Sequence, residues 1–283
     1  MYVVTGATGQ LGRLVVEGLL AKVPASEVAV VVRSAEKAAD LAERGVTVRV
    51  ADYDRPESLA GAFAAGDRVL FVSGSEVGNR MPQHTAVVEA ARAAGVALLA
   101  YTSAPGVATF KLADEHKATE ALIRESGLPF ALLRNGWYTE NYLGDAAGTV
   151  ERGAVVGSAG EDGRIATAPR RDYADAAVAV LTGEGHEGAV YELSGDAAWS
   201  LPELAAELAL ASGKPVVFHP VTPEEHLRIL VGAGLPEGFA GILVDVDAGI
   251  ARGELAGTPG DLARLIGRPT VPLAQSVRTA LGA

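Results

Sequence analysis

Three glycines at intervals of three constrain this chain more than any other feature. They lie in Gly6-Ala7-Thr8-Gly9-Gln10-Leu11-Gly12, between a β-branched run, Tyr2–Thr5, and a stretch with helical period. Leu11, Leu14, Val15, Gly18 and Leu19 mark one face of that stretch at i, i+3, i+4 spacing, so residues 10–22 read as an amphipathic helix. Each glycine has a reason in a strand–turn–helix: Gly6 for a sharp turn, Gly9 for close backbone approach by a ligand, Gly12 for close helix-to-strand packing. The helix then opens with unpaired N–H groups and the positive end of its dipole, a ready seat for a pyrophosphate.

The first half repeats this unit. Short apolar runs at 2–5, 28–32, 46–50, 69–72 and 97–102, with a weaker one at 130–133, alternate with helical stretches at 10–22, 35–44, 56–63, 81–94 and 114–126. Gly45, Gly95 and Gly127 follow helices where left-handed caps are wanted. Runs without polar alternation are buried on both faces, and strands alternating with helices make right-handed crossovers. The expected fold is α/β: a Rossmann-type, doubly wound parallel sheet. After Arg134 the rhythm breaks. A loop enters a helix at 135–150, and 153–163 reads as a loop or hairpin. Strands are expected at 165–167 and 190–193, with helices at 172–181, 201–212, 223–232, 238–252, 259–266 and 273–281. No linker separates the halves. Residues 1–135, with 165–200 packing back on them, form the expected dinucleotide domain. Residues 136–164 and 201–283 form a smaller, mostly helical lobe, with a cleft between the two.

The end of the second strand selects the dinucleotide. Where an NAD site carries an acid for the ribose 2′-hydroxyl, this chain has Arg33, followed by Ser34. A guanidinium there forks onto a 2′-phosphate, so NADP(H) is the expected cofactor. Lys37 adds charge or is a solvated helix residue. Asp52, after the third strand, either accepts from the adenine amino group or caps a turn. Ser73, Gly74 and Ser75 follow the fourth strand and would run beside the ribose and phosphates.

Composition excludes several classes. Lys+Arg total 24 and Asp+Glu 35, for a net charge of −11, which argues against a nucleic-acid partner. The chain has no cysteine, so disulfide, thiolate and iron–sulfur chemistry fall away together. The histidines at 84, 116, 186, 219 and 226 lack ligand spacing, and no metal is expected. Asp245 and Asp247 read as a solvated helix face. Neither a nucleophile elbow nor a P-loop occurs. With no membrane-length apolar run and no leader pattern at its start, the chain is expected in the cytoplasm and away from membranes. Its oligomeric state is open, with room for a homodimer.

Further stretches carry a resemblance: Val32-Arg33, Ala51-Asp52-Tyr53, Ser75-Glu76-Val77-Gly78, Pro82-Gln83-His84, Ala100-Tyr101-Thr102-Ser103, Leu112-Ala113-Asp114-Glu115-His116, Leu132-Leu133-Arg134-Asn135-Gly136-Trp137-Tyr138, Glu140-Asn141-Tyr142 and Tyr191-Glu192-Leu193. Together with the glycine turn they resemble the NmrA-like atypical short-chain dehydrogenases, and among these the type 2 NAD(P)H:quinone oxidoreductases. The resemblance implies hydride transfer to a quinone without flavin. It places cofactor contacts at Gly6, Ala7, Thr8, Gly9, Gln10, Leu11, Arg33, Ser73, Gly74, Ser75, Asn135, Gly136, Trp137, Tyr138, Thr139, Glu140 and Arg170. The Tyr-x-x-x-Lys pair of typical short-chain dehydrogenases is missing. If His116 takes the lysine position, Leu112 takes the tyrosine's; if Lys117 does, Ala113 does. A quinone tolerates this loss, because its product is a weakly basic phenolate that solvent can protonate. The expected acceptor site lies near Tyr101, Thr102, Ser103 and His116, with Trp137 and Tyr138 as an aromatic wall and Tyr138 or Asn141 bonding a quinone oxygen. Two other readings stand beside this one: a triphenylmethane- or azo-dye reductase, and a non-catalytic NADP(H) sensor that docks a regulator.

Overall fold

The computed structural model describes residues 1–106 and 113–283. In chain order the elements are β1 (Tyr2–Thr5), α1 (Gln10–Leu20), β2 (Val28–Val32), α2 (Ala39–Glu43), β3 (Thr47–Val50), β4 (Arg68–Phe71), α3 (Arg80–Ala94), β5 (Leu98–Ser103), α4 (Asp114–Glu125) and β6 (Phe130–Asn135). There follow α5 (Glu140–Leu143), α6 (Ala146–Arg152), β7 (Ala154–Gly157), β8 (Arg164–Ile165), α7 (Arg170–Thr182) and β9 (Ala189–Leu193). The chain ends with β10 (Trp199–Ser200), α8 (Leu201–Ser212), β11 (Val217–Pro220), α9 (Pro223–Gly232), α10 (Glu237–Ala251), α11 (Asp261–Ile266) and α12 (Leu273–Leu281). The stretch Phe110-Lys111-Leu112, part of the tyrosine–lysine comparison, lies outside the described residues.

Seven parallel strands form the main sheet in the order β3-β2-β1-β4-β5-β6-β9. The order reverses between β1 and β4, the switch point at which ligands of open α/β sheets bind. Alternate residues of one strand serve opposite faces. Val4 joins Val15, Leu19, Leu133, Tyr173 and Leu181 under α1 and α7, while Val3 joins Phe71, Val87, Tyr101 and Ile123 under α3 and α4. Gly18 is the point where α1 meets α7: a Cβ there would lie 2.9 Å from Val178 Cγ2. A third cluster, with Leu143, Trp199, Leu204, Leu208, Val246 and Ile250, is the core of the C-terminal lobe.

Three sequence expectations change. Residues 56–61 form a 3-10 turn rather than an α-helix; Pro56 starts it, but the segment has too few residues to propagate. The expected helix at 35–44 is a 3-10 turn over Glu36–Ala38 followed by the short α2. The glycine-rich stretch after Arg152 is no hairpin: β7 pairs in parallel with the distant β11, so its partner could not be read locally.

Candidate functional site

Two cavities meet at Ser73 along the C-terminal ends of the strands. The first, of about 440 Å³, is lined by the glycine turn, Arg33, Lys37, Asp52, Tyr53 and Ser73–Glu76. Gly6 has φ +59, and Gly9 donates to the Gly6 carbonyl at 2.9 Å. Gly12 packs on the turn itself, more than on the strand: a Cβ there would come within 2.8 Å of the Gly6 carbonyl carbon. α1 follows its N-cap Gly9 with no side-chain cap and no acid in its first turn, so its free N–H groups face the cavity uncompensated. Arg13 is tied to Asp40 and Glu17. Arg33, in contrast, is exposed and has no carboxylate partner among the described residues. Asp52 caps its turn, one oxygen accepting the Asp54 N–H at 3.2 Å, and it also lines the cavity.

The Ser73–Ser75 loop is fastened from below by Thr102, expected at the acceptor site, and by His84 and Arg80, which received no role from the sequence. Ser73 N–H donates to Thr102 Oγ1 at 2.9 Å, Gly74 N–H to His84 Nε2 at 3.0 Å, and Arg80 Nε to the Gly74 carbonyl at 2.7 Å. Because Gly74 donates to Nε2, the His84 proton sits on Nδ1 and goes to Thr119 Oγ1 at 2.8 Å. Thr119 in turn donates to the Glu115 carbonyl. The imidazole is held neutral, with burial pushing its pKa down to about 3. Pro82-Gln83-His84 was legible as a motif; its purpose required knowing that α3 passes beneath the loop.

The second cavity, of about 530 Å³, lies between the sheet edge and the C-terminal lobe. Thr102, Ser103, His116, Asn135, Gly136, Trp137, Tyr138, Asn141 and Arg170 line it from one side; Leu235, Phe239, Ile242 and Leu243 line it from α10 and the turn before it. Buried Tyr101 places its hydroxyl 2.7 Å from His116 Nδ1. With the phenol as donor to Nδ1, the His116 proton would sit on Nε2. Burial pushes the His116 pKa down to about 3, leaving a neutral imidazole on the cavity wall. Ser103 is committed to Glu120 at 2.6 Å, and Glu120 is gripped by Arg134 through two bonds of 2.8 and 2.6 Å. Asn135, 8% exposed, has a buried Oδ1 without a hydrogen-bond partner among the described residues.

Arg170, a cofactor contact by the resemblance, lines the second cavity and not the groove that holds Arg33. Its guanidinium lies 4.5 Å above the Tyr138 ring, bonds Asn141 Oδ1 at 3.0 Å and approaches Glu140 at 3.5 Å. One face of Tyr138 is therefore covered, and burial raises its phenol pKa. Trp137 lines the cavity. Glu140 lines neither cavity; its carboxylate accepts the Arg170 backbone N–H. Thr139 is also turned away: its N–H goes to the Ala168 carbonyl and its hydroxyl lies 2.7 Å from that of Thr167. The Ala7 side chain is in the core. Asp247, read as solvated, is 5% exposed and hydrogen-bonded, because α10 turns that face onto β7. No helix is long and apolar enough to cross a membrane, and no cluster of metal-ligating side chains occurs among the described residues.

Comparison with known proteins agrees with this geometry. A family described as NAD(P)H-binding matches residues 6–184. Quinone oxidoreductase 2 of Escherichia coli is 48% identical over 98% of this chain and 97% of its own length. A crystal structure of the NADPH-dependent quinone oxidoreductase of Escherichia coli in complex with NADPH superposes with a TM-score of 0.96, at 47% identity over 99% of this chain and 100% of that one. The triphenylmethane reductase of Citrobacter sp. with NADP(H) gives 0.95, at 44% identity over 99% and 100%.

Proposed function

The chain belongs to the NAD(P)H-binding family, and from that premise we propose that it is an NADPH-dependent reductase passing a hydride to a quinone without flavin. The observation that carries the reading is the joining of two cavities at Ser73: a groove lined by the glycine turn and an Arg33 that has no carboxylate partner among the described residues, and a mostly apolar chamber lined by Asn135, Trp137 and Tyr138. The glycine turn and the α1 N-terminus would hold the pyrophosphate, Arg33 the 2′-phosphate, and Asn135 Oδ1 the carboxamide. Bound in this way, the reduced nicotinamide supplies the hydride.

The chain's own residues then have three tasks. Trp137, Leu235, Phe239, Ile242 and Leu243 exclude water and hold a planar acceptor against the cofactor. His116 Nε2–H donates to a quinone oxygen, and the bond strengthens as that oxygen gains charge. Asn141 and Tyr138 are further donors on the same wall. With its pKa near 3, His116 is neutral in the resting enzyme and serves as a hydrogen-bond donor rather than as an imidazolium acid. The quinone takes up one hydride from the cofactor and one proton from water, giving the hydroquinone and the oxidised cofactor. The cytoplasm, where reduced nicotinamide is supplied, is the compartment this reading implies.

Steady-state NADPH oxidation with benzoquinones, naphthoquinones and a triphenylmethane dye tests the proposal. Turnover is expected with quinones, and His116→Ala should lower kcat about 10- to 100-fold with NADPH affinity unchanged. Absence of quinone turnover alongside micromolar NADPH binding would refute it; turnover of the dye alone would move the chain to dye reduction.

A further inference from the structure

The acceptor wall is anchored unusually. α9 buries one side chain, His226; its apolar residues Ile229 and Val231 are exposed. The first half of α10 is nearly as loosely held, burying Ala240 alone before Val246. Yet this part of the hairpin supplies Leu235, Phe239, Ile242 and Leu243 to the acceptor cavity. Packing against the core begins at Val246 and Asp247, one turn beyond Leu243.

At that junction a single carboxylate oxygen collects donors from two elements. Asp247 Oδ2 accepts the Ser158 N–H at 2.6 Å and the Ser158 hydroxyl at 3.2 Å, and lies 3.2 Å from His226 Nδ1. Ser158 Oγ, its own proton given to Asp247, lies 3.1 Å from the same Nδ1. His226 Nδ1 must therefore carry a proton, shared between the two oxygens. Serine and aspartate meet the imidazole at one nitrogen, so the trio cannot relay a proton as a hydrolytic triad does. It instead ties the end of β7 to α9 and α10 together. Gly157 leaves room for it: a Cβ there would stand 3.1 Å from Asp247 Oδ2.

We infer that Ser158, His226 and Asp247 are positioning residues that set the distance of the α9–α10 wall from the acceptor. The inference rests on the acceptor-site reading above. The latch lies outside both cavities; His226 and Asp247 are buried and Ser158 is half-buried, and out of bulk water a hydrogen-bonded carboxylate fixes geometry firmly. Loss of the charge lets the hairpin ride outward, widening the chamber while the cofactor groove, built from residues 6–83, is untouched.

The test is a double-mutant cycle between Asp247→Asn and Phe239→Ala, read with a naphthoquinone and with NADPH, alongside amide hydrogen exchange. Asp247→Asn should raise the quinone KM at least fivefold and leave the NADPH KM within twofold. In the Phe239→Ala background the same change should have a much smaller effect, because the contact it positions is gone. Exchange should accelerate across 223–251 and stay unchanged in β1, β4 and β5. Ser158→Ala, which removes one hydroxyl, should show a weaker form of the same pattern if Asp247→Asn folds poorly. Additive effects, equal rises in both KM values, or unaltered exchange at 223–251 would overturn the latch. If the wild type turned over no quinone, the proposed function would fall, and the exchange measurement alone would decide the latch.

Discussion

At the scale of single residues, the side chain with the most specific consequence is Arg33. It stands just past the end of β2, in the proposed cofactor groove, with no carboxylate partner among the described residues. A charged hydrogen bond of this kind contributes about 1.5–3 kcal/mol. Arg33→Ala should therefore weaken NADPH binding about 10- to 100-fold and change NADH binding less than threefold, measured by fluorescence titration with both cofactors. Equal losses would refute the 2′-phosphate role. Arg33 was readable because its position relative to the glycine turn fixes its surroundings. Arg170 was named through the resemblance, but its surroundings were not legible: they depend on the chain laying Glu140, Asn141 and Tyr138 around it. Asn135 was legible as a candidate, but only burial reveals that its Oδ1 lacks a partner among the described residues.

At the scale of elements, helices with end signals were legible almost to the residue. α8 starts at a Ser200/Glu203 capping box and stops at a left-handed Gly213. The short pieces at 36–38 and 56–61 carry no such boxes, and their apolar spacing alone suggested longer helices. What no local pattern showed is how α3 and α4 cooperate. Each sends a neutral histidine to a different fixed partner: His84 pins the loop after β4, and His116 takes the hydroxyl of β5's Tyr101. Both have pKa values near 3 in the folded chain against 6.5 for an ordinary histidine. Between those limits the unfolded chain binds protons that the folded one refuses, so stability is complete above pH 6.5 and falls as pH drops. At pH 5 the loss is about 2 kcal/mol for each imidazole. Denaturant unfolding at pH 7 and pH 5 should show this, with a smaller difference for His84→Gln; a stability that is flat across the interval would contradict the buried neutral assignment.

At the scale of the whole molecule, the sheet is completed only after the chain has visited the second lobe. α5, α6, β7 and β8 intervene before α7 covers α1 and β9 adds the seventh strand. Tyr173, Val178, Leu181, Tyr191 and Leu193 therefore belong to the same core as Val15 and Leu19. A chain ending at residue 152 would expose that core. Burying a Val or Leu side chain is worth about 1.5–3 kcal/mol, so losing several exceeds the stability of an ordinary domain. Such a fragment should be insoluble or lack a cooperative thermal transition by circular dichroism, whereas the full chain should unfold in one step. A folded 1–152 fragment would show that α7 and β9 are dispensable. The alternation of strands and helices made the sheet legible; the parallel pairing of β7 with β11, between segments about 60 residues apart, could not be, because pairing at that range leaves no periodic trace.

The two cavities draw on different stretches of the chain. The cofactor groove uses residues 6–83; the acceptor chamber takes Ser73, Val77 and Arg80 from that range and the rest from 102–255. Selection can therefore act on the two almost as on separate genes. Changes in α10 can retune what is reduced while the electron donor stays the same. For protein engineering, this makes residues 235–243 a cassette: exchanging them with those of a relative should carry acceptor preference across and leave the nicotinamide end of the machine running as before.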